Sequence, residues 1–328
     1  MNYGTPTQPT RAAFGAIPTR QHVAAAVMLL QVHAPAVWQG EEGPRWRLTV
    51  TPGSVQIGTK DYARINRSQE EREARRLRDN PGMTLTVPKR AEISKWSGKS
   101  RTNMVRTFCA IDWEPFVKAV ELGACPALVT LTLPGDWLAV APTGEAFKSL
   151  VNRLRKRFDR AWGCHMSGPW KLEFQRRGAP HLHILTVPPV GVDSISGLPF
   201  AEWLSKTWAD VVSSSNEPDR GHEHDPVGGC GCKPGRPADA PCDCSEYCRH
   251  LAAGTGVDCE ETLRYGDPKR IAVYFSKHGL FADKEYQNVV PEAWSEPGKG
   301  PGRFWGVWVL GVVKGNVELA DNAHYVKY

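Results

Sequence analysis

The 328-residue chain has no apolar run of the length that crosses a bilayer. Its longest N-terminal candidate, Val23 to Val32, is short and contains Gln31, and it lacks the layout of a signal peptide. A cytoplasmic protein is therefore expected. The nine cysteines are an odd count, and five of them crowd between Cys230 and Cys248, a clustering that suggests metal more than a disulfide framework in a cytosolic protein. The usual C-x-x-C metal knuckle is missing too; the spacing is Cys230-x-Cys232 and Cys242-x-Cys244, then Cys248. Net negative charge is also lacking. A formal charge of +6 permits a polyanionic partner without demanding one. With 41% hydrophobic and 23% charged residues, the chain can build one large domain or two ordinary ones.

What is present is organised around Trp170 to Val187, WKLEFQRRGAPHLHILTV. Trp170, Leu172 and Phe174 alternate with Lys171, Glu173 and Gln175, the period of a half-buried strand. Arg176 to Pro180 supplies a loop with a glycine. The return strand then alternates His181, His183 and Leu185 with Leu182, Ile184 and Thr186. The stretch reads as a β-hairpin. Pairing Gln175 with His181 puts Glu173 opposite His183, with both imidazoles and the carboxylate on one face and the apolar residues turned to the core. Two imidazoles and a carboxylate with open positions suit a divalent cation that also holds a phosphate oxygen. A solvent-facing polar pair is the plainer meaning of His-x-His.

Ala127 to Pro134 reads as a strand, Gly144 to Trp162 as an amphipathic helix, and Pro199 to Val212 as a second helix with Phe200, Trp203, Leu204 and Trp208 inward. Strand, helix, strand, strand, helix is the order of a split βαβ, ferredoxin-like sheet. The expected class is α+β: an antiparallel sheet with helices on one face, and Glu173, His181 and His183 on the open one. The first helix carries Lys148, Arg153, Arg155, Lys156, Arg157 and Arg160 outward, either a solvated face or a nucleic-acid footprint. Ser94 to Trp113 reads as a helix capped by Ser100 that leaves Lys99, Arg101 and Arg106 for phosphates or plain surface charge. The candidate DNA-binding residues are Lys99, Arg101, Arg153, Arg157 and the hairpin-loop pair Arg176 and Arg177. Residues 45–57 suggest a small hairpin, Ser68 to Leu77 a surface helix capped by Ser68, and Arg303 to Val313 a buried strand with a glycine bend.

Ser213 to Leu251 is too rich in Gly, Pro, Asp and Cys to bury much apolar area. Structural zinc on Cys230, Cys232, Cys242, Cys244 and Cys248 would staple it; the alternative is a loop with reduced thiols. Asp267-Pro268 then opens a helix, KRIAVYFSKHG, that ends at Gly279 and sets Tyr274, Lys277 and His278 on one face. A helical Tyr is ordinarily packing. Combined with the histidine hairpin and basic helices, it fits one chemistry: the Tyr274 hydroxyl attacks a DNA phosphate and leaves a phosphotyrosine and a 3′-hydroxyl, with Lys277 steadying phosphate or phenolate.

HLH at 181–183 after QRRGAP, and Tyr274-x-x-Lys277 within DPKRIAVYFSKHG, resemble the HUH endonuclease superfamily, and within it the rolling-circle replication initiators of actinobacterial plasmids and phages. VTLTLP at 129–134 resembles their first motif, and KWSGKSRTNMVRT and AGTGVD (253–258) are also similar. The resemblance spans roughly residues 93–310. It implies His181 and His183 as Mg²⁺ or Mn²⁺ ligands completed by Glu173, Tyr274 as nucleophile and Lys277 as its helper. It also implies single-stranded origin DNA, a host helicase and a polymerase as partners. Some single-tyrosine initiators carry a Glu one turn before the Tyr; here that residue is Arg270, and Tyr265 or Tyr286 is a weak second nucleophile.

The expected organisation is an N-terminal region at 1–90 with no assigned role, an endonuclease domain at 91–315 with the Cys-rich insertion at 213–251, and a tail at 316–328. The expected function is nicking and rejoining of single-stranded DNA in rolling-circle replication. A conjugative relaxase or a single-strand transposase would use the same chemistry, and a non-catalytic zinc-containing DNA-binding protein is the rival of another class. An H-x-H-x-H phosphoryl hydrolase is excluded because the third position is Leu185.

Overall fold

The computed structural model describes residues 19–33, 45–60, 62–79, 93, 95–213, 246–259, 275 and 282–319. In chain order α1 (Arg20–His33), β1 (Arg45–Thr51), β2 (Ser54–Lys60) and α2 (Tyr62–Asp79) come first. α3 (Gly98–Cys109), α4 (Glu114–Glu121), β3 (Ala127–Thr132), α5 (Trp137–Val140), α6 (Gly144–Trp162), β4 (Gly168–Phe174), β5 (Pro180–Thr186) and α7 (Phe200–Ser213) follow. α8 (Glu246–Ala253), β6 (Thr255–Asp258), β7 (Trp305–Trp308) and β8 (Gly315–Leu319) complete the set. Among the described residues no helix is long and apolar enough to cross a membrane. The elements fall into two compact units.

The smaller unit comprises Pro18–Ala91, Cys109–Asp112 and Val312–Tyr328. Its antiparallel sheet has the order β2-β1-β8. Leu48 and Val50 of β1 alternate inward with Val317 of β8 and bury against Val23 of α1, with Val313 in the same cluster. α2 starts at Tyr62, so Ser68 lies inside the helix and is not its cap. Nothing between Tyr62 and Ser68 is a Gly or Pro that would stop the helix earlier.

The larger unit comprises Glu92–Phe108 and Trp113–Gly311 among the described residues. Its five-stranded sheet has the order β6-β3-β5-β4-β7, with every pair antiparallel. β3 crosses through α6 to β4, and β5 returns through α7 and α8 to β6, so the first four strands interleave as a split βαβ. The structure is thus an α+β fold with antiparallel sheets and flanking helices. α6 has the expected bounds because both ends are capped: the Thr143 hydroxyl accepts from the Ala146 amide at 3.0 Å, and Gly163 takes the left-handed conformation with φ 63°. Phe147 and Val151 of α6 meet Trp170, Leu172 and Leu182 of the sheet, and Phe147 lies against Trp208 of α7. α3 is capped one residue before its start: the Ser97 hydroxyl accepts from the Ser100 amide at 3.2 Å, replacing the expected Ser100 cap.

The stretch from Arg303 to Val313 is not one strand. β7 covers only Trp305–Trp308, half-buried beside β4, and Val309 at φ 64° ends it. At the same end of the β4–β7 pair, Gly168 opposite Trp308 has φ 138°, and a Cβ there would run into the Leu185 carbonyl. Gly168→Ala is therefore expected to destabilise the larger unit by about 2–4 kcal/mol, measured by urea unfolding, because both backbone strain and a backbone clash resist it.

Candidate functional site

β4 and β5 form the expected hairpin, but its register is shifted by two residues. His181 lies opposite Glu173 on β4 and Thr132 on β3, while His183 lies opposite Lys171 and Thr130. The loop is the reason. The Gln175 amide donates to the Ala179 carbonyl at 2.9 Å and the Gly178 amide to the Gln175 carbonyl at 2.8 Å, so Phe174 is already paired with Pro180. A shift of two preserves strand parity. Glu173, His181 and His183 therefore still share a face, opposite the one that packs against α6.

That face is not open over β4. Lys171 is 0% exposed and Glu173 2%, although period-2 alternation alone would leave both in water. The Lys171 Nζ lies 2.6 Å from Glu173 Oε1, donates to the Phe275 carbonyl at 2.8 Å, and sits 4.3 Å from the Trp96 ring centre. Phe108 of α3 packs edge-on against both Phe275 and Trp305. Trp96, α3 and helical Phe275 thus roof the β4 side of the sheet. Burial opposes charge on Glu173, but the His183 contact and the Lys171 charge outweigh it and hold the carboxyl well below the usual range. Burial pulls the Lys171 ammonium below its ordinary value, and Glu173 works against that.

The histidines stand at the edge of this roof. His183 is 14% exposed, with its Nε2 3.6 Å from Glu173 Oε2 and its Nδ1 3.1 Å from the Thr130 hydroxyl. His181 is half-buried with its ring centre 4.4 Å from that of His183, at 83°. With Nδ1–H donating to Thr130, the Nε2 lone pair would face a carboxylate oxygen. Two acceptors facing one another require a proton or a cation between them. Two donors each ~2.1–2.2 Å from one ion lie roughly 3.0–3.6 Å apart between right-angle and tetrahedral geometry, so this pair fits a divalent cation. The Thr130 hydroxyl, hydrogen-bonded to Nδ1, fixes the orientation of the His183 ring. Among the described residues no group of three or more His, Cys, Asp or Glu forms a metal-holding cluster; what is assembled is the Glu173–His183 pair, with His181 beside it.

The candidate DNA-binding cations divide between the two faces. Lys99 is exposed at the start of α3. Arg101 pairs with Glu285 at 2.5 Å and lies 4.9 Å from the Trp96 ring centre. Arg176 is exposed on the hairpin loop, 5.5 Å from the Tyr286 ring centre, whereas Arg177 donates to the Leu133 carbonyl and to the Gly135 carbonyl at 2.7 Å. Arg153 donates to the Val211 carbonyl at 2.9 Å and Arg157 pairs with Asp210 on α7, both behind the sheet. Tyr274, Lys277, Tyr265, Arg270, Cys230, Cys232, Cys242 and Cys244 lie outside the described residues. Of the zinc candidates Cys248 is described, buried in α8 two residues before buried His250.

Residues 126–220 match a family model of replication-associated proteins of the ORF2 type. That stretch is replication-initiator-like. It runs from β3 through α7 and contains Glu173, His181 and His183, and it ends before Tyr274. No curated protein and no solved structure matches the chain.

Within the replication-initiator-like stretch, sequence reasoning missed Lys171. The available signal was a Lys and a Glu two apart on a strand, which share a face and can pair. The ion pair makes acid stability depend on Glu173. Its folded-state pKa is depressed, so its contribution is full above the ordinary value of 4.5 and is lost as pH falls below it. Glu173→Gln is expected to be less stable than wild type at pH 7 and to lose less stability between pH 5 and 3, read from urea midpoints across that range.

Proposed function

We propose that the chain is a replication initiator of the HUH endonuclease type that nicks single-stranded DNA through a covalent 5′-phosphotyrosine on Tyr274. The observation that carries this reading is the lodging of Phe275, one peptide bond from Tyr274, against Lys171 and through it against Glu173. Phe275 follows Tyr274 in the chain, and its carbonyl accepts from Lys171, the ion-pair partner of Glu173. The match of residues 126–220 to replication-associated proteins supports the same reading.

In the proposed reaction the Tyr274 phenolic oxygen bonds to the scissile phosphorus and the bond from phosphorus to the 3′ oxygen breaks. The 3′ oxygen leaves and takes up a proton, and the phosphate stays on the tyrosine as a diester. Rejoining is the reverse, with the 3′-hydroxyl as nucleophile and no ATP. His181, His183 and Glu173 would hold Mg²⁺ or Mn²⁺, whose chemistry when bound is to neutralise and polarise a phosphate oxygen. Thr130 keeps the His183 ring turned so that Nε2 faces Glu173. Lys277 would steady the phenolate, and Lys99 and Arg176 would contact the DNA backbone. Structural zinc on Cys230, Cys232, Cys242, Cys244 and Cys248, and a host helicase and polymerase as partners, belong to the same proposal.

The test is incubation of end-labelled single-stranded oligonucleotides from the replicon's origin with the protein and Mn²⁺, followed by denaturing gels. A covalent adduct is expected in wild type and absent in Tyr274→Phe, in His183→Ala and in EDTA. An adduct that survives in Tyr274→Phe would remove the nucleophile assignment. Binding without cleavage across the whole origin would favour a DNA-binding protein. Thr130→Val is expected to weaken Mn²⁺ binding by about 10–100-fold, measured by titration, because it removes the hydrogen bond that orients His183.

A further inference from the structure

We infer that Lys171 is a positioning residue for strand cleavage: its ammonium binds the Glu173 carboxylate and the Phe275 carbonyl together and so holds the backbone beside Tyr274 against the acidic edge of the histidine face. This rests on the nickase reading above. The ammonium has 0% exposure, and its N–H groups meet a carboxylate at 2.6 Å and a carbonyl 104 residues away at 2.8 Å, with the Trp96 ring 4.3 Å off. An apolar side chain would fill this space without the cost of desolvating an ammonium. Only a donor can tie a strand carboxylate to a carbonyl of a distant segment. A lysine suits the task because its compact charge carries three rotatable donors, where the planar guanidinium fork would need a flat acceptor pair.

The fastening also explains why Glu173 needs two oxygens. Oε1 is taken up by Lys171, and Oε2 faces His183 Nε2. Phe275, through Lys171, and His183 are thereby tied to opposite oxygens of one carboxylate, so displacement of the ammonium would disturb both.

Lys171→Met tests this, with Lys171→Gln as the second variant should the first not fold. With Mn²⁺ and an origin oligonucleotide, the adduct rate at saturating DNA is expected to fall about 100-fold, the scale set by an ångström of misplacement. The half-saturating DNA concentration should stay within about twofold of wild type, as befits loss of an interaction that does not bind DNA. In the metal-free proteins, hydrogen exchange should rise in peptides spanning residues 271–280 and stay unchanged in β3 and β5. A wild-type adduct rate with unchanged exchange at 271–280 overturns the assignment. So does protection lost evenly over the whole sheet, which would make Lys171 a general stabiliser. If wild type itself gives no Tyr274-dependent adduct, the nickase reading fails, and the exchange pattern alone decides whether Lys171 anchors the segment.

Discussion

Two opposite charges buried side by side on one strand govern the larger unit. Lys171 and Glu173 project to the same face of β4 because they are two residues apart, and the roof of Trp96, α3 and Phe275 removes both from water. Neither could be buried alone: an isolated ion in such a place costs several kcal/mol, and breaking the pair leaves that cost unopposed. The pair therefore fixes more than itself. It obliges the roof to supply a carbonyl for the ammonium's second donor, and it obliges the β5 side to supply a partner for the second carboxylate oxygen. Phe275 meets the first demand and His183 the second.

His183 is in turn held from β3. Three adjacent strands thus contribute to one polar line that runs Lys171, Glu173, His183, Thr130. A line of this kind has little freedom, since each member is placed by the strand it stands on and by the partner on either side. The weak link is the 3.6 Å separation between Glu173 and His183, longer than a good hydrogen bond.

Much of this fold is legible in the sequence, and the parts that are not have identifiable causes. α6 is readable to the residue because apolar spacing, Thr143 and Gly163 all point to the same ends. The hairpin is readable as a hairpin, with the correct residues on each face, because alternation fixes parity. Its register is not readable, since slips of two leave alternation untouched and only the hydrogen bonds of the 175–179 loop choose among them. The roof over β4 is invisible for a different reason. Trp96 and Phe275 reach Lys171 from remote segments, the second of them 104 residues further along the chain, and no local pattern encodes such an encounter. Lys and Glu in a strand look like solvent-facing residues until something covers them. β7 fails similarly: the apolar run from Arg303 to Val313 looks continuous, and a left-handed Val309 cuts it.

The basic residues show why charge counting misleads. α6 carries six cations, and four of them have work inside the protein: Arg153 and Arg157 brace α7, Arg155 lies 4.4 Å from the Trp308 ring centre, and Lys148 donates to the Arg303 carbonyl at 3.1 Å. Burial and the nearby Arg303 charge lower the Lys148 ammonium to about 8, which marks it as a packed group more than a solvated one. The cluster that looks most like a nucleic-acid footprint thus lies across the face opposite the histidines and largely stitches helix to helix and helix to sheet. Lys99 and Arg176 differ in that each is exposed to solvent, so exposure and partners, not the number of charges, separate a packed cation from one available to an anion.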